Sequence, residues 1–434
     1  MCRHDFSFGD ERSRRRFIAD AAKALLGVGV APMASQVLGV EFPALLGRPA
    51  RAQSVVYLNL MGGVSHIDTF DPKPNQPEIQ GPVKPLATNV PGIHVTEYLP
   101  KIAGQMDKLA VIRSMTSHQG DHIAAQYLLH RSHQEGGTLS HPTLAAWAMR
   151  SLNKCNPDLP GSVSIAGNDD SVSTGFLDLK YAPVPIGDPS QGLPDSRRPA
   201  YVSDSQLESR LSLTRAFNQE FHERYHYRQT IAHARMFADA VRLMRSRDLK
   251  AFDISQEPAP TSAQYGPHPF GQGCMLARRL VEHGLRFVEV GFGGWDTHYD
   301  NFGMVAENSV VLDQSLSALL VDLKQRGMLE STLVVVATEF GRTPKINEAH
   351  KDGRDHHPNA FSCLMAGGGV DGGQVYGETD AQGAEVIDRG VSIPDLNATI
   401  GWALGLPIDE QIASPSGQLF RIADEGQPLK ELFS

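Results

Sequence analysis

Four runs of this chain are apolar almost without a break: SVVYLNL from Ser54, LRFVEVGF from Leu285, TLVVVAT from Thr332 and AFSCLMA from Ala360. A strand with one wet face alternates apolar and polar residues. Unbroken runs rich in Val and Leu instead point to strands buried on both faces, the pattern of a parallel sheet with helices above and below. Helical patterns lie between the runs, as parallel crossovers require. Over residues 304–327, Val305, Val310, Leu312, Leu316, Leu319, Leu320 and Leu323 recur at helical spacing and Gly327 follows as a stop, while CMLARRLVEHG from Cys274 is a second amphipathic pattern ending in glycine. The spacing predicts an α/β fold with a mostly parallel central sheet covered by helices on both faces. Residues 53–434 are expected to form a single domain, with a helical insertion around the long proline-free stretch 204–250. The Pro-, Gly- and Asp-rich segment 181–199 reads as a loop or lid.

A length of 434 residues, with 41% hydrophobic and 21% charged, is that of a folded chain with one large core or two ordinary ones. The formal charge of -9 is mixed along the chain, and no polybasic stretch follows the N-terminus, which argues against nucleic acid as a partner. Cys2, Cys155, Cys274 and Cys363 show no CxxC spacing, so neither a zinc knuckle nor a disulfide framework is suggested.

The first fifty residues read as an address. SRRRFI, Ser13 to Ile18, precedes a weakly apolar region from Ala21 to Val40, and Ala50, Arg51 and Ala52 form a small-x-small cleavage site. Residues 1–52 are therefore expected to be a twin-arginine export signal that engages the twin-arginine machinery and delivers the chain to the periplasm or the extracellular space. Lys23, Pro32 and the many Gly and Ala residues make the segment a poor membrane anchor, and no stable span is expected there, since a span needs about 20 strongly apolar residues.

Polar clusters follow the apolar runs. The first run leads to His66, Asp68 and Asp71, the second to GGWDTHYDN with Asp296, His298 and Asp300, and the third to Glu339 and Arg342. The fourth is preceded by GRDHHPN, with Asp355, His356 and His357. Ligands of open parallel sheets bind outside the carboxyl ends of the strands, so these clusters are expected on one rim, with the histidine pair entering from a neighbouring loop. Asp296 and His298 offer oxygen and nitrogen to one cation, a set suited to zinc, manganese or similar ions; the alternative is a helix cap at Asp296 and a packed His298. Glu339 could instead pair with Arg342, and Asp71 fits a turn.

The stretches GGVSHIDTFDPKP, FGQGCMLARRLVEHGLRFVEV, GGWDTH, ATEFGRTPKIN and GRDHHPNAFSCLMAGGGV resemble the family called domain of unknown function 1501, a sulfatase-like branch of the alkaline phosphatase superfamily. The resemblance spans the chain after the signal. It implies an alkaline-phosphatase-like sandwich and a hydrolase of phosphate or sulfate esters that uses a divalent metal, whether zinc, manganese or calcium. Its partner would be an anionic ester, such as one carried by a polysaccharide. Asp296, His298, Glu339 and His356 or His357 then stand at metal positions, with His66 and Asp68 as a further metal or substrate set. Thr116, Ser117, His118 and His122, together with Arg342, stand in the catalytic region, where either a hydroxyl or a water is the nucleophile. Phe340 occupies the place of an expected histidine, Gly62 or Gly63 that of an expected aspartate, and no cysteine carries the formylglycine signature. These departures keep open the alternative of a non-catalytic exported binding protein with the same fold.

Overall fold

The structure, a computed structural model, describes residues 50–136, 139–194, 196–225 and 228–434. The export signal read in the sequence lies, through residue 49, outside the described residues. The strands that build and flank the site are β1 (Ser54–Leu60), β2 (Leu109–Thr116), β3 (Ser162–Ile165), β4 (Val184–Ile186), β5 (Phe287–Phe292), β6 (Thr332–Ala337), β7 (Gly341–Arg342), β8 (His356–His357), β9 (Phe361–Ala366), β10 (Gln374–Tyr376) and β11 (Val391–Ser392). The main sheet has the order β10, β2, β9, β6, β1, β5, β3, β4, with β11 also beside β2. At its centre Leu58 of β1 lies between Val290 of β5 and Val336 of β6, both in parallel register.

All four apolar runs are strands of this sheet, and its pairings are parallel except those of β9, which runs antiparallel to β2 and β6. Full burial on both faces makes β9 as apolar as the parallel strands of the sheet, so its direction leaves no trace in the pattern. The reversal has a consequence for the site. Because β9 starts where its neighbours end, the segment before it arrives at the carboxyl rim of the sheet.

Seven helices complete the relevant frame: α1 (His122–Arg131), α2 (Leu144–Ser151), α3 (Asp204–Tyr225), α4 (Arg228–Arg245), α5 (Pro269–Glu282), α6 (Asn301–Gln325) and α7 (Ile393–Ala403). Alternate strand residues face two cores. Val56, Leu58 and Leu60 pack with Leu276 and Leu280 of α5 and with Leu312 and Leu316 of α6. Val55 and Tyr57 pack with Leu128 of α1, Trp147 of α2, and Leu396 and Ile400 of α7. Each such side chain contributes about 1.5–3 kcal/mol of burial. Val310, part of the apolar pattern of α6, is exposed on the outer side of the helix. Among the described residues no helix is long and apolar enough to cross a membrane. Ala52, at the end of the small-x-small site, is buried, and its amide donates to Ala403 O at 2.9 Å.

Candidate metal centre

The rim is built where three strand ends and one helix start meet. After β1 the chain turns through Gly62 and Gly63 with φ of 121° and 80°. A Cβ at Gly62 would lie 2.4 Å from the amide nitrogen of Asp296, so glycine lets the end of β1 pass beneath the loop after β5. That loop carries Asp296 and His298 and is tied to the segment before β8, with Arg354 N donating to Thr297 O at 2.9 Å and Asp300 N to Lys351 O at 3.1 Å. β7 and β8 form a short antiparallel ribbon in which His356 opposes Arg342. Asp121 caps α1 by accepting from the amides of Ile123 and Ala124 at 3.0 and 3.1 Å, which fixes His122 at the first helical position.

These elements bring three imidazoles and one carboxylate together. Ligand atoms of His122, Asp296 and His356 all lie within 4.8 Å of one another. His298 joins them: its Nε2 is 2.9 Å from His356 Nε2 and 3.2 Å from Asp296 Oδ1. His122 Nε2 is 3.4 Å from Asp296 Oδ2, and His356 Nε2 is 3.7 Å from Asp296 Oδ1. A tetrahedral ion with bonds of about 2.0–2.1 Å has ligand edges of roughly 3.3–3.4 Å, within the span of these spacings.

The other nitrogen of each ring is already committed. His122 Nδ1 meets Glu339 Oε1 at 2.8 Å, His298 Nδ1 meets Asp355 Oδ1 at 3.0 Å, and His356 Nδ1 meets Gly120 O at 2.6 Å. Each acceptor holds the proton on Nδ1 and leaves Nε2 with a lone pair aimed inward, the arrangement that carboxylates and carbonyls impose on metal-binding histidines. His122 Nε2 is buried with no hydrogen-bond partner. Lone pairs facing each other at 2.9 Å repel unless positive charge lies between them. One proton can satisfy one such pair, whereas four converging ligand atoms fit a cation.

Charge leads to the same requirement. Asp296, Glu339 and Asp355 are three carboxylates against the one guanidinium of Arg342, leaving two formal negative charges when the imidazoles are neutral. Burial opposes the charge of Asp296, but its bond from Arg342 Nη2 at 2.5 Å outweighs this and holds the carboxyl below its ordinary range. The hydrogen bond to Glu339 raises the pKa of His122, whereas burial lowers that of His356. The centre opens to solvent on one side, where the Asp296 side chain is half exposed. Phe340 closes the other, its ring 4.8 Å from that of His122 and 4.6 Å from that of His356.

Of the residues named from the sequence, the structure thus gathers Asp296, His298, His356 and His122. It places the others differently. Glu339 is buried behind His122, where it also accepts from Gly62 N at 2.8 Å, so it supports a ligand and does not face the cluster. His357 turns away because successive side chains of β8 point to opposite sides; its Nε2 bonds Ala384 O at 2.7 Å, beside a groove of about 760 Å³ lined by Phe302, Pro344 and Lys345. Asp68 is fully buried and paired with Arg354, which also bonds the carbonyls of Ile79 and Thr343, while His66 bonds Gly383 O at 2.8 Å. Both belong to the interior. Arg342 is fully buried too, donating to the carbonyls of Gly62, Gly63 and Arg354 as well as to Asp296; it orients Asp296 and is not presented to solvent. Thr116 lies 3.5 Å from Val391 O, Ser117 accepts from Gln119 N, and His118 is exposed. Among the described residues no hydroxyl is bonded to a cluster atom. Asp355 was visible in the sequence only as a neighbour of the histidine pair, and its role comes from its reach to His298.

The fold and this cluster define an α/β protein with a histidine and aspartate centre at the carboxyl rim of its sheet. Residues 52–433 match the family model described as a protein of unknown function, DUF1501, and the chain belongs to that family. No curated protein matches it. Among solved structures it is similar to one from Bacteroides thetaiotaomicron described under metabolism of multiple glycosaminoglycans, at 12% identity and TM-score 0.43, covering 88% of this chain and 76% of that one. The C-terminal periplasmic domain of EcEptC from Escherichia coli, in complex with Zn, is similar at 9% identity and TM-score 0.41, covering 90% of this chain and 99% of that one. Alkaline phosphatase from the Antarctic bacterium TAB5 is similar at 10% identity and TM-score 0.34, over 76% and 95%. Likenesses this distant assign no residue role here.

Proposed function

We propose that this protein is a metal-dependent hydrolase of phosphate or sulfate esters, with one divalent ion held by His122, His298, His356 and Asp296. The observation that carries the reading is the convergence of His122, His356 and Asp296 within 4.8 Å of one another, with His298 Nε2 beside two of them and each ring held at Nδ1 by its own acceptor. Zinc fits this donor set best and manganese next. Calcium, which takes six to eight oxygens, does not suit three imidazoles. When bound, such an ion supplies a Lewis acid for an ester oxygen and makes a water more acidic. The chain's own part is to orient the ligands through Glu339, Asp355 and Arg342, to close one side with Phe340, and to leave the Asp296 side open to substrate. A water nucleophile is favoured over Thr116 or Ser117, since no hydroxyl meets the cluster among the described residues.

A specific observation supports a second reading, an exported metal-binding protein without turnover: Arg342, the cation nearest the centre, spends its donors on backbone carbonyls and Asp296. The test is metal analysis of the purified protein followed by a panel of aryl phosphates, phosphodiesters, aryl sulfates and sulfated polysaccharides. Chelator-sensitive turnover that is lost in Asp296→Ala supports the hydrolase; bound metal with no turnover across the panel supports the second reading; absence of bound metal sinks both. Export by the twin-arginine route, with cleavage near Ala52, is part of the same proposal and rests on SRRRFI and the small-x-small site.

A further inference from the structure

Two polar residues interrupt the buried strands at the sheet centre, Asn59 in β1 and Glu289 in β5, and both lie within the core. They belong to one chain of hydrogen bonds that ends at His122. His130 of α1 is buried, its Nδ1 2.8 Å from Gln126 O and its Nε2 3.0 Å from Glu289 Oε1. The carbonyl of Gln126 only accepts, so Nδ1 carries a proton, and Nε2 meets the Glu289 carboxyl group, an arrangement that favours the charged ring. Burial works against that charge, and Glu289 beside it more than reverses the effect, raising the pKa of His130.

Direction then passes from group to group. Asn59 donates from Nδ2 to Glu289 Oε1, at 3.2 Å. The same Nδ2 donates to Gln126 Oε1 at 3.1 Å, and Asn168 Nδ2 adds a second donor to that oxygen at 3.3 Å. With its oxygen committed, Gln126 turns Nε2 toward Glu339 Oε2, at 3.0 Å. A flipped amide would set oxygen against oxygen there. Glu339 in turn uses Oε1 for the amide of Gly62 and for His122 Nδ1, at 2.8 Å each.

We propose that Gln126 is a positioning residue for His122, its amide sense fixed by Asn59 and the buried Glu289 and His130 pair, so that Glu339 holds His122 in the Nδ1–H tautomer with Nε2 free for the ion. The inference rests on the reading of the cluster as a metal centre. A group bonded directly to a metal-binding histidine, as Glu339 is to His122, is worth roughly 10–100-fold in affinity; Gln126 stands one contact further out and is expected to be worth no more than the lower end, and links in series do not add.

The experiment uses the full metal-free protein, with zinc alone as the probe. The tautomer of His122 is read from its ¹⁵N shifts at fixed neutral pH, and zinc affinity from competition with a chromophoric chelator. In Gln126→Met, His122 is expected to lose the pure Nδ1–H form and zinc affinity to fall by up to about 10-fold. Glu289→Gln should produce a smaller loss, because its amide can face Asn59 either way, and the double variant should bind no more weakly than Gln126→Met alone. Should Gln126→Met not fold, Asn59→Ser breaks the same chain and carries the same expectation. An unchanged tautomer in a folded variant, or losses that add in the double variant, overturns the proposal. A wild-type protein that binds no zinc refutes the metal centre instead, and the tautomer still decides the relay.

Discussion

Exchanging His298 or His357 for alanine separates the proposed centre from its neighbours. His298→Ala removes the Nε2 that lies 2.9 Å from His356 Nε2 and 3.2 Å from Asp296 Oδ1. His357→Ala removes a ring on the opposite side of β8, bonded to Ala384 O. The His298 side chain is 43% exposed, so its loss should change the stability of the metal-free protein by no more than about 0.5 kcal/mol. Its effect on zinc is far larger. A four-ligand zinc site is worth about 10–16 kcal/mol, or roughly 2.5–4 kcal/mol per ligand, so affinity should fall by about two to three orders of magnitude. Chelator competition measures that directly, and thermal unfolding gives an independent reading. Zinc at about 100 times the wild-type Kd stabilises by about 2.7 kcal/mol. With about 2.1 cal/mol/K of unfolding entropy per residue over roughly 380 residues, this raises Tm by about 3 °C. The wild type and His357→Ala should show the rise, and His298→Ala should show almost none at the same zinc concentration. Equal responses in the two variants, or loss of the rise only in His357→Ala, would refute the assignment of ligands.

Three further outcomes are expected. Burial pushes the pKa of His66 down to about 4; the unfolded ring takes a proton near pH 6.5 and the folded one does not, so stability should fall by about 3 kcal/mol as pH drops from 6.5 to 4. Urea unfolding across that window should show a clearly flatter dependence in His66→Gln, and an identical dependence would count against the buried neutral ring. Gly62→Ala, with φ of 121° and a Cβ 2.4 Å from Asp296 N, should cost about 1–3 kcal/mol and weaken zinc binding together; urea melts and zinc titration of one sample check both. Replacing Arg14 and Arg15 with lysine should leave unprocessed chain in the cytoplasm, because the receptor reads the paired guanidinium groups. Fractionation that finds normal export would reject the address.

The sequence made some of this legible and concealed the rest for identifiable reasons. Strand positions were readable because double-sided burial excludes polar residues, and the rim clusters because strand ends deliver them. The reversed direction of β9 was not, since burial is the same either way. Glu339 stands behind His122: sequence proximity to Arg342 and the strand end cannot tell a carboxylate that faces the rim from one that backs a histidine. Asp68 was expected on the rim, yet it forms a pair with Arg354 that has no exposure. Gln126 and Asn59 gave only a faint sign, amides in otherwise apolar surroundings, because their meaning lies in contacts between distant segments.

The strand order also governs how the chain must be made. Among the described residues β1, the first strand of the sheet, is flanked only by β5 and β6, and β2 is paired only with β9, β10 and β11. During translation SVVYLNL therefore emerges long before residue 287 provides its first partner strand, and β2 waits until residue 361. A nascent chain of this kind cannot fold stepwise from its N-terminus; its contacts are remote in sequence, its collapse is slow, and its longest apolar strands remain open to wrong partners. Any fragment ending before Phe287 leaves β1 without a neighbour in the sheet, so the centre of the sheet can close only after synthesis has passed that strand.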